Sequence, residues 1–293
     1  MTWRFTVDNA AVQGLAAGET VTQVYRLTLT DSSGATVTRD VTITITGTND
    51  APTVGPAKLT GTVTEDAGTG TLTDSGTIAF ADVDLSDGHS VSASFVSTSG
   101  TAPLGTLTAV RSVDTTGTGT GGSVTWTYAV DNVALQFLRQ GETVTETYAV
   151  TVSDGKGGTV TRTVVVTIVG TNDAPTVTGA PPTASGTAGQ EMVLTVDPAR
   201  FADVDRGDRL TFMATLADGS PLPGWLVFDP ATLTFRGTPP QEAAGTLSLV
   251  LRATDTAGAS ATLGVTFTIA AEVRRGDTPT PPAGPDVTPS TPM

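Results

Sequence analysis

Apolar and polar residues alternate along several stretches of the chain, which is the period expected of β-strands with one buried face. In VTITIT at 41–46 every second residue is apolar, and VVVTIV at 164–169 places apolar side chains at the same alternate positions. The turn-forming sequences DSSG at 31–34 and DGKG at 154–157 precede these two stretches, with glycine available for positive φ. The pattern predicts antiparallel strands joined by tight turns.

Helical periodicity is confined to short segments. After Asp131 and Asn132 the apolar residues have near-helical spacing, which predicts a short capped turn that ends at Gly141. The aromatic content is only 5%, and Thr, Gly, Ser and Asp make up most of the polar residues. This composition disfavours long amphipathic helices and favours strands joined by turns. We therefore expect an all-β fold built from β-sandwiches.

The chain contains a long internal repeat. With an offset of 123 residues, Trp3 falls on Trp126, and the match continues without a gap to Val54 on Val177. The octapeptide GTNDAPTV closes each copy, at 47–54 and 170–177, and its proline suits a stiff exit from a finished strand. Self-similarity of this length predicts a tandem array of one structural unit, and we expect the chain to be a piece of something longer.

Four segments follow from the repeat and the octapeptide. FADVD recurs at 80–84 and 201–205, so the last third of the chain repeats the plan of the middle part. A proline-dense end predicts an extended linker. The predicted segments are 1–50, the second half of one repeat; 51–173, a complete sandwich; 174–271, a further sandwich; and 272–293, a proline-rich tail.

Charge and cysteine content narrow the possible partners. The 29 acidic residues outnumber the 15 basic ones, which gives a formal net charge of −14. Such a chain repels nucleic-acid phosphates and anionic membrane surfaces and attracts cations. The absence of cysteine excludes disulfides, thiolate metal sites and cysteine nucleophiles. The longest strongly apolar run, at 164–169, is far shorter than the roughly 20 residues that cross a membrane. We expect a soluble chain with no nucleic-acid partner.

Acidic and amide residues recur at strand ends and connections. An Asn-Asp pair lies in each linker, three aspartates with the same spacing follow each FA dipeptide, and one aspartate opens each glycine turn. These residues are Asn49, Asp50, Asn172 and Asp173 in the linkers; Asp82, Asp84, Asp87, Asp203, Asp205 and Asp208 after the strands; Asp31, Asp154 and Asp255 at the turns; and Glu65 with Asp66 in the first strand region of the middle segment.

This oxygen-rich set predicts a calcium site. Two carboxylates of an Asp-x-Asp pair in irregular backbone can point at one place, and Ca²⁺ takes six to eight oxygen ligands with irregular geometry. Zn²⁺ prefers nitrogen or sulfur, and Mg²⁺ requires stricter geometry. Asp, Asn and Gly also form turns without any ion, so a single aspartate does not predict a site. Recurrence of the whole pattern in successive segments favours calcium.

The motifs also resemble known repeats. The middle segment, with TEDAG, FADVDLSDGHSVS, VDNVALQFLRQGETVTETY, DGKGGTVT and GTNDAP, resembles the VCBS repeat of large bacterial surface adhesins, and residues 1–50 resemble the second half of another copy. Residues 174–271, with FADVDRGDRLTF and LADGSPLPGWLVFDPATLTFRGTP, resemble the dystroglycan-type cadherin-like domain. Together the resemblances cover nearly all of the chain except its tail.

The resemblance to cadherin-like repeats implies shared calcium ligands at the junctions of consecutive sandwiches. At the first junction the implied ligands are Asn49, Asp50, Asp82, Asp84 and Asp154. At the second junction they are Glu65, Asn172, Asp173, Asp203, Asp205 and Asp255. Gly47 and Gly170 stand where the cadherin linker has a leading aspartate, so fewer ions or weaker binding is expected at each junction.

Other candidate sites are weaker. His89 is the only histidine, and its position in the turn sequence DGHS predicts a solvated side chain rather than a catalytic one. Trp3, Trp126 and Trp225 could stack on sugars if exposed, but their strand contexts favour the core. We expect no enzymatic activity.

The sequence thus predicts tandem Ig-like or cadherin-like sandwiches in an elongated array, with Ca²⁺ as the bound ion. The expected role is a calcium-stiffened stalk or adhesive segment of a secreted or cell-surface bacterial protein, contacting neighbouring repeats of its own chain and a host or cell-surface glycan or protein. Two alternatives remain: a carbohydrate- or protein-binding module, and an accessory domain beside a catalytic domain.

Overall fold

Strands provide nearly all of the regular structure in the computed structural model, which describes residues 2–272. The predicted all-β fold is confirmed. The predicted proline-rich tail lies outside the described residues, apart from Glu272. The chain divides into two compact units, the first being Met1–Asp173 and the second beginning at Ala174. Within the described range, no helix is long and apolar enough to cross a membrane.

The described residues of the first unit form ten strands. In chain order they are β1 (Thr20–Thr30), β2 (Thr36–Thr46), β3 (Thr53–Ala57), β4 (Thr60–Thr64), β5 (Thr71–Ala81), β6 (Ser90–Thr98), β7 (Thr106–Val113), β8 (Gly122–Asp131), β9 (Thr143–Ser153) and β10 (Thr159–Val169). Single 3₁₀ turns occupy Asn9–Ala11 and Asn132–Ala134.

The sequence repeat is also a structural repeat. β1 and β9 begin and end 123 residues apart, as do β2 and β10, and each pair has the same antiparallel register. The two 3₁₀ turns keep this offset and begin with equivalent N-caps, where the side chains of Asp8 and Asp131 accept backbone N–H groups. This confirms the predicted capped turn after Asp131, but the predicted end at Gly141 is wrong, because the 3₁₀ turn ends at Ala134. The similar sequences of the two copies therefore form the same local elements with the same register.

Two four-stranded sheets enclose the core of the first unit. The strand orders are β4-β10-β9-β6 and β3-β5-β8-β7, and β4 runs parallel to β10 whereas the other neighbours are antiparallel. The alternation in β10 places Val164, Val166 and Ile168 in the core with no exposed surface. Residues from both sheets, including Trp126 and Tyr128 on β8, form one buried cluster. The two sheets therefore form a β-sandwich.

The first copy of the repeat is less buried than the alternation predicts. β1 and β2 pair only with each other among the described residues, and the apolar positions of VTITIT are half-buried instead of buried. Trp3 is 57% exposed, so its predicted core position is wrong, whereas the equivalent Trp126 is fully buried. The difference arises because Trp126 is covered by a second sheet, whereas the pair formed by β1 and β2 lies outside the two four-stranded sheets.

Among its described residues, the second unit repeats the sandwich plan with nine strands, most of which are shorter than those of the first unit. They are β11 (Thr176–Val177), β12 (Thr183–Thr187), β13 (Met192–Thr195), β14 (Phe201–Ala202), β15 (Thr211–Leu216), β16 (Leu226–Asp229), β17 (Thr234–Gly237), β18 (Gly245–Thr254) and β19 (Ser260–Ala270). The sheets are β12-β19-β18-β15, β13-β17-β16 and the short pair β11-β14. Phe235 and Phe267 are fully buried in the core, and Trp225 packs against it as predicted.

A close pair on adjacent strands fixes Trp126 in the core. Gly76 on β5 lies opposite Trp126 on β8, and the indole N–H of Trp126 donates to the carbonyl oxygen of Lys58 at 2.7 Å. A Cβ added at Gly76 would lie 2.5 Å from the indole Cζ2. Only glycine leaves room for the ring at this position of the strand.

We expect Gly76→Ala to lower the free energy of unfolding by about 1–3 kcal/mol, because overpacking forces the buried ring or the strand to move. Urea denaturation of the full chain measures the change. Gly70→Ala is the control, since nothing lies within 4 Å of a Cβ at Gly70. Equal midpoints for the two variants would contradict the packing role assigned to Gly76.

Candidate metal centre

Three aspartates are buried where β5 ends. The Oδ1 of Asp82 accepts the backbone N–H of Asp84 at 3.0 Å, and the N–H of Asp87 donates to the carbonyl oxygen of Asp84 at 3.1 Å. These bonds close a tight loop. All three residues are at most 2% exposed. The local sequence DVDLSD thus forms a turn whose carboxylates lie inside the protein.

The first GTNDAPTV linker lies against this loop. The N–H of Asp50 donates to Oδ2 of Asp84 at 2.8 Å, and the amide nitrogen of Asn49 donates to Oδ2 of Asp154 at 2.9 Å. Asp154 opens the turn between β9 and β10, where its Oδ1 accepts the N–H groups of Lys156 and Gly158. The residues predicted for the first junction therefore lie together: Asn49, Asp50, Asp82, Asp84 and Asp154. We call these five residues with Asp87 the acidic cluster.

Several buried oxygen atoms of the acidic cluster have no hydrogen-bond partner among the described residues. They are Oδ1 of Asn49, Oδ1 of Asp84 and both carboxylate oxygens of Asp87. Buried polar atoms in native proteins are almost always hydrogen-bonded, so unpartnered carboxylate oxygens indicate a ligand that the protein atoms do not supply. This donor set of carboxylate and amide oxygens fits Ca²⁺, which takes oxygen ligands at about 2.3–2.6 Å.

The acidic cluster is not a closed metal cage. Within residues 2–272, no three His, Cys, Asp or Glu side chains are arranged as a group that could hold a metal ion. Asp82 is held by Asp84 and His89, and Asp87 lies against Lys156. The protein thus presents a partial ligand set, and binding of an ion requires the side chains of the loop to converge further.

Burial and mutual repulsion affect the carboxylates of the acidic cluster differently. Burial raises the pKa of Asp84, and the charges of Asp82, Asp87 and Asp50 add to this effect. Burial also opposes ionisation of Asp154, but the hydrogen bonds from Asn49 and from the turn amides outweigh it and lower the pKa of Asp154. The pKa of Asp84 is therefore raised, whereas Asp154 is already stabilised as a carboxylate by Asn49 and by its own turn.

His89 is buried, so its prediction as a solvated turn residue is wrong. Its Nε2 lies 3.0 Å from Oδ2 of Asp82, and its Nδ1 lies 2.8 Å from Oδ1 of Asp114. The side chain has no exposed surface. Arg111 in turn contacts Asp114 and the carbonyl oxygen of His89. His89 is covered because the connection between β7 and β8 brings Asp114 against it, a contact that the local sequence DGHS cannot reveal.

Lys156 supplies a positive charge beside the acidic cluster. Its Nζ lies 3.1 Å from Oδ1 of Asp87. The side chain of Asp87 has no exposed surface. The contact is an ion pair by distance, but its angles do not satisfy hydrogen-bond geometry. The carboxylate of Asp87 raises the pKa of Lys156, and the charges of Glu19 and Asp84 add to this effect.

The second unit contains an equivalent arrangement. Asp203 accepts the N–H of Asp205 through Oδ1 at 3.0 Å, and the N–H of Asp208 donates to the carbonyl oxygen of Asp205 at 3.2 Å. Asp255 opens the turn between β18 and β19 and accepts the N–H of Ala259 at 2.8 Å. Oδ2 of Asp203 is buried and has no hydrogen-bond partner in the described part of the chain, and burial raises the pKa of this residue. The loop geometry of DVDLSD therefore recurs in DVDRGD.

The remaining predicted ligands lie in the first unit. Glu65 is buried at the end of β4, where its Oε1 accepts from Gln136 at 2.6 Å and its Oε2 accepts the N–H of Thr171 at 2.8 Å. The amide nitrogen of Asn172 donates to the carbonyl oxygen of Asp173 at 3.0 Å. Both carboxylate oxygens of Glu65 are thus satisfied within its own unit, and the second predicted junction stays a prediction.

Comparisons with known proteins identify the fold of the second unit. Residues 174–270 match the family model described as "Putative Ig domain". No curated protein gives a significant match to the chain.

Among solved structures, the chain is similar to extracellular cadherin domains 3–6 of protocadherin gamma B7, with a TM-score of 0.44 and 14% identity over 91% of this chain and 60% of that one. It is also similar to domains 3–6 of protocadherin gamma B2, with a TM-score of 0.38 and 16% identity over 92% and 63% of the two chains. The similarity to an endo-fucoidan hydrolase of glycoside hydrolase family 107 has a TM-score of 0.29 and 16% identity over 86% of this chain and 34% of that one. The chain thus spans less than two thirds of each of these proteins, and similarity at this level leaves its function to be inferred from its own residues.

We expect His89→Ala to destabilise the first unit by about 2–4 kcal/mol in the presence of chelator, because it removes a buried partner of both Asp82 and Asp114. Burial alone would lower the pKa of His89, but hydrogen bonds to the two aspartates outweigh burial and raise it. The stabilisation is therefore complete below the unfolded-state pKa of about 6.5 and is lost as the pH rises through the higher folded-state pKa.

Urea unfolding at pH 6 and pH 9 measures this effect. The parent chain should lose stability between the two values, and His89→Ala should show a smaller loss. The same loss in both proteins would contradict the assigned ion pairs of His89.

Proposed function

We propose that the acidic cluster binds calcium and that binding stiffens the connection between residues 1–50 and the sandwich that follows. The observation that supports the proposal most directly is the set of buried oxygens without hydrogen-bond partners on Asn49, Asp84 and Asp87. A divalent cation would coordinate these oxygens directly, and among them only Oδ1 of Asp87 already lies beside a positive charge, that of Lys156.

The chain's own residues explain how binding would restrict the linker. Asn49 and Asp50 belong to the linker, whereas Asp84, Asp87 and Asp154 belong to loops of the sandwich. Hydrogen bonds already join Asp50 to Asp84 and Asn49 to Asp154. In the absence of a cation, the mutual repulsion of Asp50, Asp84 and Asp87 opposes these contacts. Neutralisation of that repulsion strengthens them, so the linker loses freedom relative to the sandwich.

The magnitude of the effect is consistent with control by extracellular calcium. Extracellular modules bind Ca²⁺ with Kd values of about 10⁻⁴ to 10⁻³ M. At a free calcium concentration ten times the Kd, one site stabilises the folded state by about 1.4 kcal/mol. A change between the low calcium concentration inside a cell and the millimolar concentration outside would therefore switch the linker from flexible to stiff.

The tandem repeat supports a broader role for the chain. We infer a calcium-stiffened stalk or adhesive segment of a secreted or bacterial cell-surface protein, built from VCBS-like repeats and a dystroglycan-type cadherin-like domain, with no enzymatic activity of its own. The equivalent loop of Asp203, Asp205, Asp208 and Asp255 supports a second calcium site of the same kind in the second unit.

Calcium titration by calorimetry tests the proposal with Asp84→Asn. The parent chain should bind Ca²⁺ with a Kd in the range given above, and Asp84→Asn should remove or weaken at least tenfold the binding of one class of sites. Asp40→Asn makes the same change in charge at an exposed ion pair with Arg26 and should leave the Kd unchanged. A parent chain that releases no heat and shows no calcium-dependent melting would sink the proposal.

Without calcium, Asp84→Asn should stabilise the folded protein. Because the folded-state pKa of Asp84 is raised, its charged form destabilises the protein at neutral pH. Asp84→Asn should therefore raise the melting temperature in chelator by a few degrees, since about 1 kcal/mol shifts Tm by roughly 2–4 °C in a domain of this size.

A further inference from the structure

Lys156 is one side chain that distinguishes the acidic cluster from its counterpart in the second unit. The turns that begin at Asp154 and Asp255 have the same backbone pattern, in which the aspartate N–H donates to the carbonyl oxygen four residues later and the carboxylate accepts the N–H of that residue. The turn at Asp31 has this pattern as well. Lysine occupies the third position of the turn only after Asp154, where the other two turns have Ser33 and Ala257.

The third aspartate of each loop is held by the neighbouring turn, but through different chemistry. In the first unit, the Lys156 ammonium group lies 3.1 Å from Oδ1 of Asp87. In the second unit, the hydroxyl of Thr256 donates to Oδ2 of Asp208 at 2.8 Å. A hydroxyl satisfies one lone pair of a carboxylate but adds no charge. An ammonium group adds a full positive charge beside a carboxylate that is withdrawn from water.

We propose that the Lys156 ammonium group is a permanent counter-ion of the acidic cluster. It neutralises part of the negative charge that would otherwise attract calcium, and so it lowers the affinity of the cluster for calcium. This inference rests on the proposed function of the same residues. Asp87 has two buried oxygens without hydrogen-bond partners, so it is available to a metal ion once the ammonium group moves away. The side chain of Lys156 is 42% exposed, so it can move into solvent when an ion binds.

The charge of Lys156 should stabilise the fold without calcium and weaken the binding of calcium. Without calcium, Lys156 compensates the buried charge of Asp87 and stabilises the fold, because a buried carboxylate without a partner is strongly destabilising. With calcium, the same ammonium group repels the divalent ion and competes with it for Asp87. The cluster of the first unit should therefore bind calcium more weakly than it would without Lys156, and should hold its loops together better when calcium is absent.

The test combines calcium titration by calorimetry with thermal melting in chelator on the full chain. Lys156→Met removes the charge and keeps an apolar stem. It should tighten calcium binding about tenfold, since the variant lacks the positive charge that repels the divalent ion. In chelator, the same variant should melt several degrees lower than the parent.

Three further variants locate the effect. Lys156→Arg keeps the charge and should retain a Kd within about threefold of the parent value. Lys58→Met removes the other lysine, which pairs with Asp74, and should leave the calcium Kd unchanged. In an Asp84→Asn background, Lys156→Met should no longer change the Kd, which shows that the charge acts through this cluster and not through the second unit.

The outcomes separate the two proposals. A parent chain that binds calcium while Lys156→Met binds equally or more weakly overturns this inference and leaves the proposed function standing. Failure of the parent and of Lys156→Met to bind calcium overturns both. Binding by Lys156→Met alone supports the inference but overturns the proposed function of the parent chain, since it shows that the ammonium group fully excludes the ion there.

Discussion

Removal of carboxylates from water at the ends of strands is the constraint on which the rest of the structure depends. The loop after β5 closes through Asp82 and Asp84, and this closure turns the side chains of Asp84 and Asp87 toward the interior. Like charges in a buried loop repel each other and lose the solvation that water provides. Each carboxylate therefore requires backbone amides, a cationic side chain or a bound cation as a partner. The residues around the loop supply only some of the necessary amides and cationic side chains.

The two units meet this constraint with different side chains on one backbone plan. In the first unit, His89 contacts Asp82 and Lys156 contacts Asp87. In the second unit, Leu210 stands at the position equivalent to His89 and packs against the core, and Thr256 contacts Asp208. The loop of the first unit thus contains internal cationic partners that the second loop does not have at these positions. Tandem modules of one fold can differ in this way in their response to a single ion.

Much of the fold could be predicted from the sequence, since alternation and turn chemistry are local. The strand pairs that carry VTITIT and VVVTIV, the 3₁₀ turn capped by Asp131, and the identical register of the two copies follow from residues within each segment. Whether a side chain is buried depends on elements that are distant in the chain. Trp3 and Trp126 have equivalent sequences around them, yet only Trp126 lies under a second sheet. No periodicity in the first copy could indicate that difference.

The candidate site also combines features that the local sequence predicts with features that depend on long-range contacts. The resemblance to cadherin-like repeats implied that Asp82 and Asp84 act together with Asp154. The spacing shared by DVDLSD and DVDRGD also contained the signal for Asp87, which recurs as Asp208. His89 was missed because its partner Asp114 comes from a connection 25 residues away. Lys156 was missed as part of the site because its role depends on the position of a turn relative to a loop that is distant in the chain. Long-range contacts of this kind set the charge balance, and residue types alone do not reveal them.

A crystal structure of the full chain grown in millimolar calcium, with anomalous diffraction to locate the ion, tests the central claim most directly. We expect a cation coordinated at about 2.3–2.6 Å by oxygens of Asp84, Asp87 and Asn49, with the Lys156 ammonium group displaced from Asp87. An acidic cluster without an anomalous peak, in which these oxygens are hydrogen-bonded to water or to Lys156, would contradict it.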